Sequence, residues 1–335
     1  MMQGTTNELP CIIQKPPIKV KGNCMKPDIK AKDLLSTMSP FSALVKANYD
    51  NLDFVIPGFP MGTVGSLVAA GGSGKSIFAL QQGLSIALGR DNLKRGHVLY
   101  LPAEDPITEI GKRLQAIARE WRLTPEEIET ATGNFHILNL LGQQPDLLQT
   151  DGKDRYILSG LLNEIAGVIS QKSPDPVRLL IFDTLRRFNF ADENDGGQMA
   201  KVLGIMEQIC LHVGCSCLFL HHTSKAASMG NATDMQQASR GSSVLVDNIR
   251  FQQFLSPMSK DECDTYATAA APSITIGEDN RKFFVRWGIS KQNYGAPVPD
   301  RWFQRMDGGI LMPVDMVTVS KKKSNNGKGD KDYGY

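Results

Sequence analysis

No stretch of this chain is long and apolar enough to cross a membrane, and residues 1–24 lack the apolar run of a secretory signal. A cytoplasmic protein with no membrane partner is expected. An excess of one charge is also missing: 37 Lys and Arg stand against 35 Asp and Glu, a formal net charge of +2. There is thus no global basic signal for nucleic acid. A DNA site would have to be a local patch, or a ring of loops assembled from several copies. The six cysteines include no pair at metal-ligand spacing, and Cys215 and Cys217 alternate along an apolar run as core residues do. Free thiols in a reducing compartment are expected. No internal repeat is visible. What remains is ordinary globular composition, 41% apolar and 21% charged, enough for one large core with appendages.

The most informative stretch is Leu67-Val68-Ala69-Ala70-Gly71-Gly72-Ser73-Gly74-Lys75-Ser76. An apolar strand over Val64 to Ala69 runs into a glycine-rich turn, and an amphipathic helix opens at Lys75-Ser76. Glycines let backbone N–H groups curl around phosphates, and the helix start aims its free N–H groups and dipole at the same anion. Gly71, Gly72, Ser73 and Gly74 form the cradle, Lys75 reaches the phosphates, and the Ser76 hydroxyl ligates magnesium. ATP and magnesium are therefore the expected ligands. One position departs from the usual pattern: Ala69 stands where a glycine normally begins the loop.

Beyond this loop, strand and helix signals alternate, which predicts an α/β fold: a P-loop core with a mainly parallel central sheet flanked by helices. Three segments are expected: a partly flexible extension rich in Pro and Lys over 1–48, a core over 49–318, and a disordered basic tail over 319–335. A short helix is expected between Asp33 and Val45, connecting helices and loops over 123–176, and a hairpin through Asp307-Gly308-Gly309.

Several strands end in polar residues, where ligands collect in such sheets. Arg178 to Phe182 ends in Asp183, a carboxylate suited to magnesium. His97 to Pro102 leads to Glu104 and Asp105. We assign Glu104 as the base that activates water, and Asp105, before Pro106, as a helix cap. Cys215 to Leu220 leads to His221-His222, and His222, nearest the following loop, is the expected γ-phosphate sensor. The segment from Gln236 to Arg250 carries Arg240 and Arg250 among small residues. They suit phosphate, either of nucleic acid or of a nucleotide on an adjacent subunit, and Lys291 is a second candidate to act across subunits.

Taken together, the strings GTVGSLVAAGGSGKS, YLPAEDP, DTLRRF, LHHTSK, QQASRGSSVLVDNIR, FFVRWGISKQNYGAP and DRWF resemble the RepA-type hexameric replicative DNA helicases of broad-host-range (IncQ-like) plasmids. The likeness runs from about Leu52 to Pro313. It implies a recombinase-like ATPase, similar in core to DnaB-type helicases, that assembles as a hexameric ring. Such a ring hydrolyses ATP between subunits and moves 5′ to 3′ on single-stranded DNA, with a replication initiator or primase as a further partner. It implies that Arg250 is the arginine finger, that Arg113 lies near the phosphates, and that the loop from Lys225 to Arg240 faces DNA. Lys291 alone is carried over from the basic pair near the trans site, because Asn293 stands where the family has arginine. The alternative is an ATP-gated recombination mediator or helicase loader without unwinding activity. A small-molecule phosphotransferase would need a lid with several arginines, and the sequence shows no such cluster.

Overall fold

The computed structural model describes residues 38–47, 52–143, 145, 147–150, 156–158, 175–188, 195–222 and 244–319. In chain order the elements are α1 (Phe41–Lys46), β1 (Phe54–Ile56), β2 (Phe59–Pro60), β3 (Val64–Ala69), α2 (Lys75–Leu88), β4 (His97–Pro102), α3 (Ile107–Glu120), α4 (Pro125–Asn134) and β5 (Phe135–Ile137). Next come β6 (Leu148–Thr150), β7 (Tyr156–Leu158), β8 (Val177–Asp183), α5 (Gly196–Val213), β9 (Ser216–His222), α6 (Val244–Asn248) and β10 (Phe251–Pro257). The last are α7 (Lys260–Cys263), β11 (Tyr266–Thr268), β12 (Phe284–Gln292), β13 (Arg301–Arg305), β14 (Leu311–Val314) and β15 (Met316–Thr318). No described helix is long and apolar enough to cross a membrane.

The central sheet has nine strands in the order β14-β13-β12-β10-β3-β9-β8-β4-β5. From β10 to β5 all neighbours run parallel, whereas β12, β13 and β14 add an antiparallel edge. The parallel strands are continuous apolar runs because both faces are covered. Alternate residues serve opposite layers. Leu67, Val98, Tyr100, Leu179, Ile181, Leu218 and Leu220 pack with α2 and α3. Leu99, Leu101, Leu180, Phe182, Cys217 and Phe219 pack with α5. The α/β expectation thus holds. Cys210, Cys215, Cys217 and Cys263 are free and buried.

The structure differs from the sequence reading in places. The short helix expected between Asp33 and Val45 is found at Phe41–Lys46, ending one residue later than expected. Segment 123–176, read as helices and loops, also supplies β5 and the β6–β7 pair. These strands have three residues each, too short to show a period. The hairpin through Asp307–Gly309 is present and joins β13 to β14.

At the end of the sheet where the parallel strands begin, a buried arginine ties β8 to β1. Arg178 donates to both carboxylate oxygens of Asp53, at 2.9 and 3.0 Å, and to the Phe54 carbonyl at 2.8 Å. Asp53→Ala would leave a buried guanidinium without its counter-ion. The expected cost is about 2–3 kcal/mol, at or below the range for fully buried pairs because Asp53 is partly exposed. A denaturant midpoint that does not move would refute it.

Candidate active site

The loop after β3 sits at the centre of the sheet. Gly72 and Gly74 have φ of 75° and 97°, backbone that a residue with a Cβ adopts only under strain. Gly74 is also the N-cap of α2, with no side chain capping it. A Cβ added at Gly71 or Gly72 would meet nothing within 4 Å, so the loop borders open space. The Ser73 hydroxyl is buried and has no hydrogen-bond partner among the described residues. A buried, unpartnered hydroxyl in a loop that borders open space at a helix start fits a phosphate group. Ala69 departs from the usual pattern without consequence, because it is the last residue of β3 and keeps extended backbone.

Register brings the polar strand ends together. Ala69 lies opposite His222, and Pro102 lies opposite Asp183. Lys75 is buried. Its ammonium donates to the Ala69 carbonyl at 3.3 Å and lies 3.2 Å from His222 Nδ1. An ammonium can only donate, so Nδ1 accepts and the ring proton sits on Nε2. Burial lowers the Lys75 pKa, while Asp183 and Glu104 pull it back up. Asp183 is buried, which raises its pKa, and hydrogen bonds from Tyr100 and Ser76 oppose that shift. Tyr100 donates its hydroxyl to Asp183 Oδ2. Burial, with the Asp183 charge beside it, pushes the phenol well above its ordinary range. The Ser76 hydroxyl and the Asp183 carboxylate, joined by a hydrogen bond, are oxygen donors fit for a hard cation.

Glu104 follows β4 and is more open than its neighbours. Thr184 donates to its Oε1 at 2.9 Å, and Arg187 Nε lies 3.5 Å from the same oxygen. Asp105 does not cap α3. Pro106 takes the N-cap position without a side-chain bond, and Asp105 instead pairs with Arg113 at 2.6 Å. The proline occupies the place where a capping side chain would act, which frees the carboxylate for the arginine nearly two turns into the helix. Arg113 is thereby engaged beside Glu104 and not with the loop.

Arg250 and Lys291 lie at the other end of the sheet. Arg250 directly precedes β10, and its N–H donates to Val64, where β3 begins. The loop leaves β3 five residues later, about 17 Å away at strand rise. Arg250 is exposed. Lys291 is paired with Gln252 in the register of β10 and β12, and its ammonium holds the Val246 and Asp247 carbonyls that end α6, at 2.6 and 3.1 Å. Burial lowers the Lys291 pKa and the Arg250 charge adds to this, with Asp247 opposing. Neither residue can serve the loop of its own chain. Lys225 and Arg240 lie outside the described residues.

Sequence reasoning missed Tyr100, Thr184, Arg187 and Arg305. Tyr100 reads as one more core residue of β4, although its place two residues before the strand end could have shown it near Asp183. Thr184 and Arg187 stand in the string DTLRRF, directly after the strand end that was identified. Arg305 ends β13 and carries no local signal, yet it donates to the Ser73 carbonyl at 3.0 Å and the Gly72 carbonyl at 3.4 Å.

Comparison with known proteins agrees with this architecture. A family model described as an AAA domain matches residues 32–228. Among solved structures, the chain is similar to the ATPase domain of G40P, with a TM-score of 0.53 and 16% identity over 85% of this chain and 99% of that one. It is also similar to a DnaB-like replicative helicase described with its interactions with primase, with a TM-score of 0.54 and 17% identity over 84% of this chain and 69% of that one. At these identities the shared property is the fold.

Proposed function

This chain belongs to the AAA domain family, and from that premise we propose that it is a ring-forming, ATP-dependent DNA helicase. The observation that carries the reading is the division of the machinery between the two ends of one sheet. Lys75, Ser76, Asp183, Glu104 and His222 meet at the loop. Three arginines nearby are engaged: Arg113 on Asp105, Arg187 on Glu104 and Arg305 on loop carbonyls. Phosphoryl transfer also needs a cation on the departing γ-phosphate. Arg250 is exposed, with Lys291 next to it, about 17 Å from its own loop. A second copy placed head to tail would bring that arginine onto its neighbour's nucleotide. Head-to-tail contacts that close make rings.

In this reading Glu104 orients and deprotonates the attacking water, and Lys75 holds the phosphates. His222, hydrogen-bonded to Lys75 at the end of β9, senses loss of the γ-phosphate and relays it to the segment of Lys225 and Arg240, which binds single-stranded DNA. A magnesium ion held by Ser76 and Asp183 would neutralise charge on the β- and γ-phosphates. The ring is hexameric and moves 5′ to 3′, and it serves replication of a plasmid or other mobile element, working with a replication initiator or primase. The resemblance of the long motif strings to those of RepA-type helicases supports this narrower assignment.

Lys75→Ala should abolish measurable ATP hydrolysis and weaken nucleotide binding at least about tenfold, because a buried ammonium contacting phosphate is worth more than 1.4 kcal/mol. Hydrolysis should be stimulated by single-stranded DNA in the wild type. Normal turnover in Lys75→Ala would remove the loop from the mechanism. Turnover indifferent to DNA would remove the helicase reading.

A further inference from the structure

Arg305 is a half-buried cation whose hydrogen-bond partners among the described residues are two backbone carbonyls. Its guanidinium donates through Nη2 to Ser73 O and Gly72 O. Its Nη1 lies 3.6 Å from where a Cβ on Gly74 would stand, so the group runs along the outer side of the loop. Among the described residues it makes no ion pair, and burial alone lowers its pKa. A cation in that setting is stabilised by an anion nearby.

The loop's own geometry says where that anion would be. Left-handed backbone at Gly72 and Gly74 turns successive peptides so that N–H groups converge on one side and carbonyls face the other. A cation on the carbonyl side polarises the same peptides that would donate to phosphate, and hydrogen bonds in series strengthen one another. The guanidinium is also held in place. Gln81 of α2 donates to the Leu311 carbonyl at 2.9 Å and accepts from the Leu311 N–H at 3.0 Å. Leu311 is the residue paired with Arg305 across the hairpin. The β13–β14 hairpin is therefore clasped to the helix that the phosphate loop opens.

We propose that Arg305 is a positioning residue for the nucleotide: from the antiparallel edge of the sheet it fixes the Gly72 and Ser73 carbonyls outward and so presents the loop N–H groups to the phosphates. The proposal rests on the reading that this loop binds a nucleoside triphosphate. Loop contacts to phosphate exist both before and during reaction, so their loss falls on affinity more than on turnover.

The test compares wild type with Arg305→Ala, Arg305→Gln and Arg305→Lys. It measures binding of a fluorescent N-methylanthraniloyl ATP with magnesium, its displacement by inorganic tripolyphosphate, and KM and kcat for ATP. Arg301→Ala, an exposed change at the far end of the same strand, is the control. Arg305→Ala and Arg305→Gln should each weaken both ligands and raise KM about tenfold, the scale of one hydrogen bond to a charged group. Turnover should change less than about threefold. Arg305→Lys should recover part of the loss, since it keeps the charge but not the two-point geometry. Unchanged binding in Arg305→Gln overturns the proposal. So does a loss confined to the fluorescent nucleotide and absent with tripolyphosphate, which would place Arg305 on the base. A wild type that binds neither ligand would instead remove the nucleotide reading itself, and the proposal with it.

Discussion

Glu104→Gln should lower kcat for ATP by about two to four orders of magnitude, the range for removing a general base, while nucleotide affinity stays near that of the wild type. The substitution is nearly isosteric. The amide oxygen can still accept from Thr184, which now donates to Glu104 Oε1 at 2.9 Å, so the side chain should keep its place. What is lost is the ability to take a proton from water. Glu104 is the fitting acid because its neighbours are committed: Asp183 is buried against Ser76 and Tyr100, and Asp105 is paired with Arg113. Burst and steady-state hydrolysis, measured beside equilibrium binding, decide the matter. A variant with wild-type turnover would move the role to Asp105 and would require its pair with Arg113 to open.

Arg250→Ala should reduce hydrolysis about a thousandfold or more, the scale of a trans-acting arginine, without preventing assembly. Its distinguishing behaviour appears in mixtures. A Lys75→Ala subunit has a defective loop but an intact Arg250, and an Arg250→Ala subunit has the reverse. Where the first abuts the second in the right order, one complete site forms. Mixing two nearly inactive preparations should therefore restore a measurable fraction of wild-type turnover. If Arg250 served its own loop, the mixture would stay inactive. The distance of about 17 Å along β3 argues against that second outcome, because an arginine side chain spans far less.

Much of this site was legible in the sequence because its residues stand at the ends of apolar strands. Asp183 ends β8 and His222 ends β9, and parallel pairing then aligns those ends at one edge of the sheet. Glu104 was legible for the same reason, two residues past β4. The cap assigned to Asp105 failed because Pro106, expected at the first helical position, took the N-cap place itself. Arg305 could not be read at all. Its placement depends on an antiparallel hairpin folding back over a loop more than two hundred residues earlier, and neither β13 nor the loop carries a mark of the other. The antiparallel edge is where local pattern says least about site geometry. Its hairpin was foreseen, but the register, which sets Arg305 over the loop and Lys291 beside Arg250, comes from pairing.

If the chain is a helicase, ATP turnover at this loop drives movement on DNA. The most direct test is strand separation of a forked duplex with a 5′ single-stranded tail, run with ATP and magnesium alongside hydrolysis by the same preparation. A helicase should show DNA-stimulated hydrolysis together with strand separation, and Glu104→Gln should lose both. Hydrolysis without strand separation would contradict the helicase reading and would mark the protein as an ATP-gated DNA-binding switch or loader.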